Sequence, residues 1–527
     1  MSLRREDVLR QLGEVPEWDV IVIGGGATGL GTAVEAAARG YRTLLLEAYD
    51  FAKGTSSRST KLVHGGVRYL QQGNVKLVLE ALRERGRMLR NAPHVAHRLG
   101  FIVPAYSWGA IPFYGAGLTL YDLLAGREGL GRSRILSVGG VVSALPSIAR
   151  TGLKGGILYY DGQFDDARFA ITLLRTLFDT GGLALNRARV SKLLKRDGQV
   201  RGVVAEDVES AARMDLPAKV VVNATGIFAD ELRHLDDPAA RSMITVSQGT
   251  HIVLPRSFLP GRSALMIPRT SDGRVLFAIP WHDRIVVGTT DDPVQQPELE
   301  PRAMPDERKF LLAHVERFFG RRPEAGEIRS VWSGQRPLVR RADAANTAEL
   351  SRDHTIQISE SKLVTITGGK WTTYRKMAED VIERAATIGK LPAVRSQTAD
   401  LKLHGWIENA ASNKGWEAVY GSDLPALRRI ADKNPELDEL LDSSLPFRRS
   451  EVVWAARQEM ARTVEDVLAR RTRALFLDAE ASLQAAPTVA RLLAAELGHD
   501  DIWQQEQVVA YRRVAEQYIW NSEISER

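Results

Sequence analysis

One stretch limits what this chain can fold into more than any other: WDVIVIGGGATGLGTAVEAAARGYRTLLLEA, from Trp18 to Ala48. An apolar strand runs into a glycine turn. Leu30, Ala33, Val34, Ala37 and Ala38 then recur at helical spacing, and a second apolar strand ends at a carboxylate. Gly24, Gly26 and Gly29 fit the G-x-G-x-x-G pattern, in which glycines allow a tight turn, backbone approach to a pyrophosphate and close helix packing. The bare helix N-terminus attracts phosphate. Glu47, eighteen residues after Gly29, stands where such units accept the hydroxyls of a ribose. A glycine turn alone is weak; strand, helix, second strand and acid together point to a dinucleotide, with FAD and NAD both open.

The chain of 527 residues exceeds what one hydrophobic core supports and predicts two or three folding units. With no cysteine, disulfides, thiolate nucleophiles and cysteine-ligated metal centres are excluded. A net charge of +6 is mild for this length, and no aromatic and basic stripe of the kind that grips single strands is present, so nucleic acid is not an expected partner. The opening MSLRREDVLRQLGEVPEW mixes charges without an apolar core and does not read as a signal peptide, which makes the cytosol the expected location. No apolar run reaches the eighteen or so residues of a spanning helix. No phosphate loop of the G-x-x-x-x-G-K-[ST] type, no H-E-x-x-H and no G-x-S-x-G elbow occurs, and no metal is expected.

Further segments bear on the cofactor. AKVVVNATG, Ala218 to Gly226, reads as a buried strand ending in a small-residue turn. In KLVTITGGKWTTYRKMAEDVIERAA a strand ends at Gly368 and Gly369, and a helix follows with Tyr374, Met377, Ala378, Val381, Ile382 and Ala385 on one face. A late return to a glycine-to-helix turn suits the far end of an extended FAD, and suits an ordinary strand-to-helix junction equally well. TSSRSTKLVHGGVRYL, residues 55 to 70, is rich in hydroxyls and cations, carries a diglycine and lacks any carboxylate. That chemistry fits an anion.

These segments, together with YYDGQFDDARF, SDGRVLFAIPWHDRIVVGTTD, WSGQRPLV, LSRDH and the C-terminal EMARTVEDVLARRTRALFLD, resemble the FAD-dependent, quinone-linked glycerol-3-phosphate dehydrogenases in content and order, from about residue 18 to 520. The resemblance implies FAD, oxidation of sn-glycerol 3-phosphate to dihydroxyacetone phosphate, and electron delivery to membrane quinone. Oxygen as acceptor, in an oxidase of the same substrate, is the alternative; the insertion usual in such oxidases is not found here. A non-catalytic FAD-binding module is the alternative from another class.

The resemblance also assigns roles. Gly24, Gly26, Gly29, Glu47, Thr55, Ser56, Ser57, Lys61, Leu62, His64, Gly65, Gly66, Val190, Ala224, Gly226, Gly369, Lys370 and Thr372 are expected along FAD. Arg68, Tyr69 and Arg352 are expected at the substrate phosphate, with Arg336 as the orienting cation, His251 as the proton acceptor with a pKa near neutrality, and Lys370 as an electrostatic partner. Gln335 departs from the aliphatic residue usual beside that arginine.

The implied fold is α/β: a Rossmann-like FAD-binding domain of the glutathione reductase and D-amino acid oxidase type, a sheet-containing substrate cap and a C-terminal α-helical domain. The expected boundaries are 15–75, 150–230 and 330–388 for the FAD-binding domain, 76–149 and 231–329 for the cap, and 400–527 for the helical domain, with residues 387–400 as a linker. YSWGAIPFYGAGLTLY, Tyr106 to Tyr121, suits either partial insertion at a lipid interface or burial in the cap. Arg462, Arg470, Arg471 and Arg473 are expected to meet anionic lipid or to form a solvated helix face. Peripheral attachment to the inner face of the cell membrane follows, and a homodimer is an open expectation.

Overall fold

In the computed structural model, residues 4–71, 73–270, 272–339, 354–408, 410 and 415–520 are described, without the side chains of Arg68 and Gln71. Arg352 lies outside them.

The apolar runs of the opening unit become adjacent parallel strands. Trp18–Ile23 pairs with Thr43–Leu46 on one side (Val20 with Thr43, Ile23 with Leu46) and with Arg213–Asn223 on the other. The sheet continues to Val364–Gly368 and an antiparallel edge strand His354–Ile358, and at the other side to Leu183–Leu185. Val20, Ile21, Val22, Leu44, Leu45 and Val222 are buried, as strands covered on both faces require. Helices Ala27–Ala38, Asp166–Asp179 and Tyr374–Ile388 supply the cover, and the predicted face of the last is buried throughout.

The fingerprint glycines act through space as well as conformation. Gly24 has φ 108°, and a Cβ on Gly29 would stand 1.8 Å from the Gly24 carbonyl oxygen. Any side chain at Gly29 would push the helix off the turn.

A second, larger sheet lies over the carboxyl ends of the parallel strands. Its path runs Asp292–Val294, Ile244–Pro255, Arg284–Gly288, Leu276–Trp281, Ala264–Ile267, Ala96–Ala105, Gly155–Phe164 and Leu62–Val63, with Ser330–Val339 and Arg134–Leu136 paired to its sides. This corrects the expected boundaries. Gly155–Phe164 pairs along its length with Ala96–Ala105, and Ser330–Val339 with Ile244–Pro255, so both belong to the covering sheet despite lying in segments assigned to the FAD-binding domain. Pairing across so many residues leaves no local mark in the sequence. The segment after Ile388 is also more than a linker: Tyr41 donates to the Pro392 carbonyl, Arg39 to that of Val394, and Ser396 to Glu35.

The C-terminal unit packs helices Arg449–Gln458, Ala479–Leu497 and Asp501–Ala515 around Leu475, Phe476, Val489, Leu493 and Tyr511. Its arginines correct another expectation. Arg470, Arg471 and Arg473 are at most 2% exposed. Arg471 grips Asp50 through two hydrogen bonds of 2.8 Å, Arg470 pairs with Asp50, Glu465 and Asp466, and Arg462 pairs with Glu209. These cations meet carboxylates of this chain, not a solvated face or lipid. The aromatic stretch is divided: in helix Ala110–Ala125, Leu118 and Tyr121 are buried, while Trp108 just before the helix, Phe113, Leu120 and Leu123 are exposed.

Candidate active site

Between the two sheets lies a cavity of about 1150 Å³, lined from below by Ile23, Leu46 and Gly368 at the carboxyl ends of the parallel strands and from above by Phe101, Tyr159, His251, Met266 and Arg336. Ligands of open α/β sheets bind at that edge.

One end is built for a nucleotide. Gly24 and Gly26 border it where helix Ala27–Ala38 begins. Glu47 accepts from the backbone amides of Gly25 at 2.6 Å and Tyr49 at 2.8 Å, which fixes its carboxylate at the strand end. Burial pushes its pKa up while those two amides pull it back. Val190, Ala224 and Gly226 complete this end.

The 55–66 loop forms the adjoining wall. Thr55, Ser56, Leu62, His64 and Gly66 line the cavity. Ser56 Oγ accepts from the Ala27 amide at 2.8 Å, tying the loop to the helix N-terminus. Trp371 Nε1 donates to the Ser56 carbonyl at 2.9 Å, and Thr372 Oγ1 accepts from the His64 amide at 3.3 Å. Gly369, Lys370 and Thr372 thus line the same cavity beside the loop.

Four expected FAD contacts sit elsewhere. Gly29 serves helix packing. Gly65 lies behind the wall, its amide donating to Tyr121 Oη at 2.7 Å. Ser57 is 1% exposed, and its carbonyl accepts from Lys61 and Arg473. Lys61, with no exposure, turns its ammonium away from the cavity onto Asp166 at 2.7 Å, above the rings of Trp281, Trp332 and Phe476. Its position beside the glycines was visible in the sequence; a carboxylate more than a hundred residues away was not. Burial drives its pKa down, and Asp166 opposes that.

At the covering sheet, Arg336 donates to Asp291 at 3.0 Å and to Thr289 Oγ1 at 3.1 Å. Lys370 holds its ammonium 3.9 Å from the centroid of the Tyr69 ring, and both side chains border the cavity. Gln335 is 2% exposed and satisfied: its Oε1 accepts from the Glu298 amide at 2.7 Å. His251 lies 3.0 Å from Thr60 Oγ1 through Nε2. Burial first, then Lys61 and Arg336, hold the imidazole well below its ordinary pKa, so it is neutral at physiological pH rather than poised near neutrality. Asp291, Thr60 and Trp371 were missed by sequence reasoning although each lies within or beside a segment singled out there. Only the fold supplies their partners.

The donor set fits FAD. A carboxylate for a ribose, a helix N-terminus for phosphate, small residues for close approach, and a lysine at the far end lie along one continuous cavity.

A family model described as FAD dependent oxidoreductase matches residues 19–375, and one described as the C-terminal domain of alpha-glycerophosphate oxidase matches residues 359–507. The mitochondrial glycerol-3-phosphate dehydrogenases of Macaca fascicularis and Homo sapiens are each 39% identical over 99% of this chain and 77% of their own length. Among solved structures, the glycerol-3-phosphate dehydrogenase from Bacillus halodurans, complexed with FAD, is 28% identical and matches at a TM-score of 0.77 over 98% of this chain and 97% of its own. An L-alpha-glycerophosphate oxidase from Mycoplasma pneumoniae, 15% identical at a TM-score of 0.56, shares the fold over 74% of this chain and 98% of its own. The chain belongs to the FAD-dependent glycerol-3-phosphate dehydrogenases, and FAD is its cofactor.

Proposed function

We propose that this chain oxidises sn-glycerol 3-phosphate to dihydroxyacetone phosphate and passes the electrons to a membrane quinone. The observation that carries the reading is the convergence of His251, Arg336, Lys370 and Tyr69 on one cavity whose other end is built for a nucleotide. FAD, held by the glycine turn, Glu47 and the 55–66 and 369–372 segments, supplies a hydride acceptor. The protein supplies the rest. Arg336, anchored by Asp291, orients the anionic substrate, and Lys370 offers positive charge to the oxygen that loses its proton. Neutral His251 accepts that proton. Tyr69, beside Lys370 on the cavity wall, is assigned to the substrate phosphate.

Docking on one membrane leaflet suits a quinone acceptor. Among the described residues no helix is long and apolar enough to cross a membrane. The exposed side chains of Trp108, Phe113, Leu120 and Leu123, beside exposed Arg127, Arg132 and Arg134, form an apolar and basic surface of the kind that settles on anionic phospholipid at the inner face of the cell membrane.

The test is anaerobic addition of sn-glycerol 3-phosphate, and separately of glycerol, to the FAD-loaded protein while oxidised-flavin absorbance is followed. Bleaching by the phosphate ester alone supports the substrate reading; a flavin that stays oxidised with both removes it. Reoxidation by quinone in preference to oxygen supports the dehydrogenase, and the reverse assigns an oxidase.

A further inference from the structure

His251 cannot turn in its site. Its ring is stacked on the Trp332 indole, centroids 4.1 Å apart and planes 19° from parallel. On another side the Gly288 backbone comes so close that a Cβ there would lie 2.3 Å from His251 Cδ2. The side chain is 1% exposed, and Nδ1 is buried without a hydrogen-bond partner among the described residues.

That leaves Nε2, which has one in-plane lone pair. For the imidazole to accept a proton this nitrogen must be bare, and Thr60 Oγ1 stands 3.0 Å away. Thr60 is half-buried and lines the cavity. A substrate hydroxyl that approached Nε2 directly would have to displace the threonine; one that approached Thr60 would find a hydroxyl already bonded to the base. The charged groups that bear on the ring are Lys61, next to Thr60, and Arg336 from strand Ser330–Val339, while strand Arg284–Gly288 brings the Gly288 backbone against it.

We propose that Thr60 relays the proton from the substrate hydroxyl to His251, an inference that rests on His251 being the proton acceptor. The carbinol O–H bond breaks and its proton bonds to Thr60 Oγ1. The proton that Thr60 already carried forms the new N–H bond at His251 Nε2, so the threonine ends as it began. The carbinol carbon is oxidised to a ketone as its hydride, with two electrons, leaves for the oxidised flavin, which is reduced. Thr60 is thus a catalytic residue, and Trp332 and Gly288 position its partner.

The experiment compares Thr60→Val, Thr60→Ser and His251→Asn in the FAD-loaded full chain by anaerobic stopped-flow reduction with sn-glycerol 3-phosphate. Valine keeps the shape of threonine without the hydroxyl. The expected result is flavin reduction slowed about 100-fold in Thr60→Val, within the range of general-base effects, with KM changed less than about threefold and serine restoring the rate to within about fivefold of the parent. An activity-independent readout is the 15N resonance of His251 Nε2, which in Thr60→Val moves to that of an unbonded nitrogen while bound flavin and melting temperature are retained. A normal rate in Thr60→Val with a slow His251→Asn overturns the relay and leaves His251 as the acceptor. Equal slowing of the valine and serine variants overturns it in favour of packing. Normal rates in both Thr60→Val and His251→Asn remove the acceptor assignment and the relay with it.

Discussion

Replacing Asp166 by Asn tests how the C-terminal unit supports the 55–66 loop that lines the cavity. The Asp166 carboxylate has no exposure and accepts from the Ser59 amide and hydroxyl, the Ala167 amide, Arg473, and Lys61 through both oxygens. Asparagine keeps the size but removes the charge and turns an NH2 toward donors. Two buried cations are then left facing a neutral group, and breaking one buried pair costs about 3–5 kcal/mol. The costs do not simply add. Lys61, already pulled down by burial, can shed its proton, whereas Arg473 stays charged and keeps the carbonyls of Ser57 and Ala469 at 2.7 Å. The expected loss is therefore about 4 kcal/mol, and Lys61→Met added to Asp166→Asn recovers about 2 kcal/mol by removing one stranded charge. For a cooperative unit of 150–250 residues, the single substitution lowers the melting temperature by roughly 8–16 °C. The assay follows circular dichroism and the fluorescence of released flavin in one thermal scan, with flavin leaving at or before unfolding. A shift below about 3 °C for Asp166→Asn, or a further drop in the double variant, would refute the reasoning.

Other outcomes are checkable. His404 lies between Asp179 at 2.7 Å and Asp423 at 2.8 Å; burial opposes its charge, but these hydrogen bonds prevail and raise its pKa. A raised cation contributes stability that is fully present below its ordinary value of about 6.5 and is lost as pH rises through its folded value, so the melting temperature falls across that window and His404→Gln flattens the fall. Glu47→Ala weakens FAD binding about tenfold, about 1.4 kcal/mol, by equilibrium titration of the apo-protein, with the turn amides of Gly25 and Tyr49 losing their acceptor. Leu123→Asp, at a side chain 72% exposed, abolishes co-sedimentation with anionic phospholipid vesicles while flavin reduction by sn-glycerol 3-phosphate stays within about twofold.

The parts legible in the sequence are those written in local pattern. The alternation of glycine turn, small-residue helix and carboxylate from Trp18 to Glu47 placed both strands, the helix and the carboxylate at the second strand's end, because each depends on residues within one turn or one strand. The buried face of Tyr374–Ile388 followed from its 3.6-residue period. What depended on distant partners was not legible. Lys61 and the arginines at 470, 471 and 473 looked like cations offered to an anionic ligand or surface, yet Asp166 and Asp50 claim them inside the protein. Charge in a sequence says that a counter-charge is needed and is silent on where it lies.

The same distinction explains the site. Two cations flank His251, yet they bear on it unequally. Lys61, paired with Asp166 and 4.8 Å from the centroid of the Trp332 ring, bears on the imidazole more than Arg336, which is paired with Asp291; of the two, Arg336 is the one that lines the cavity. Burial and both cations keep the imidazole unprotonated, as the proposed role of proton acceptor requires. Its weakness in that state is the consequence. On the proposed assignment, a phosphate dianion entering beside Arg336 would offset that cation's field and raise the proton affinity of His251 when substrate is bound. Burial and flanking charge that look unfavourable for a general base would, in that proposal, tie proton acceptance to occupancy by the anionic substrate.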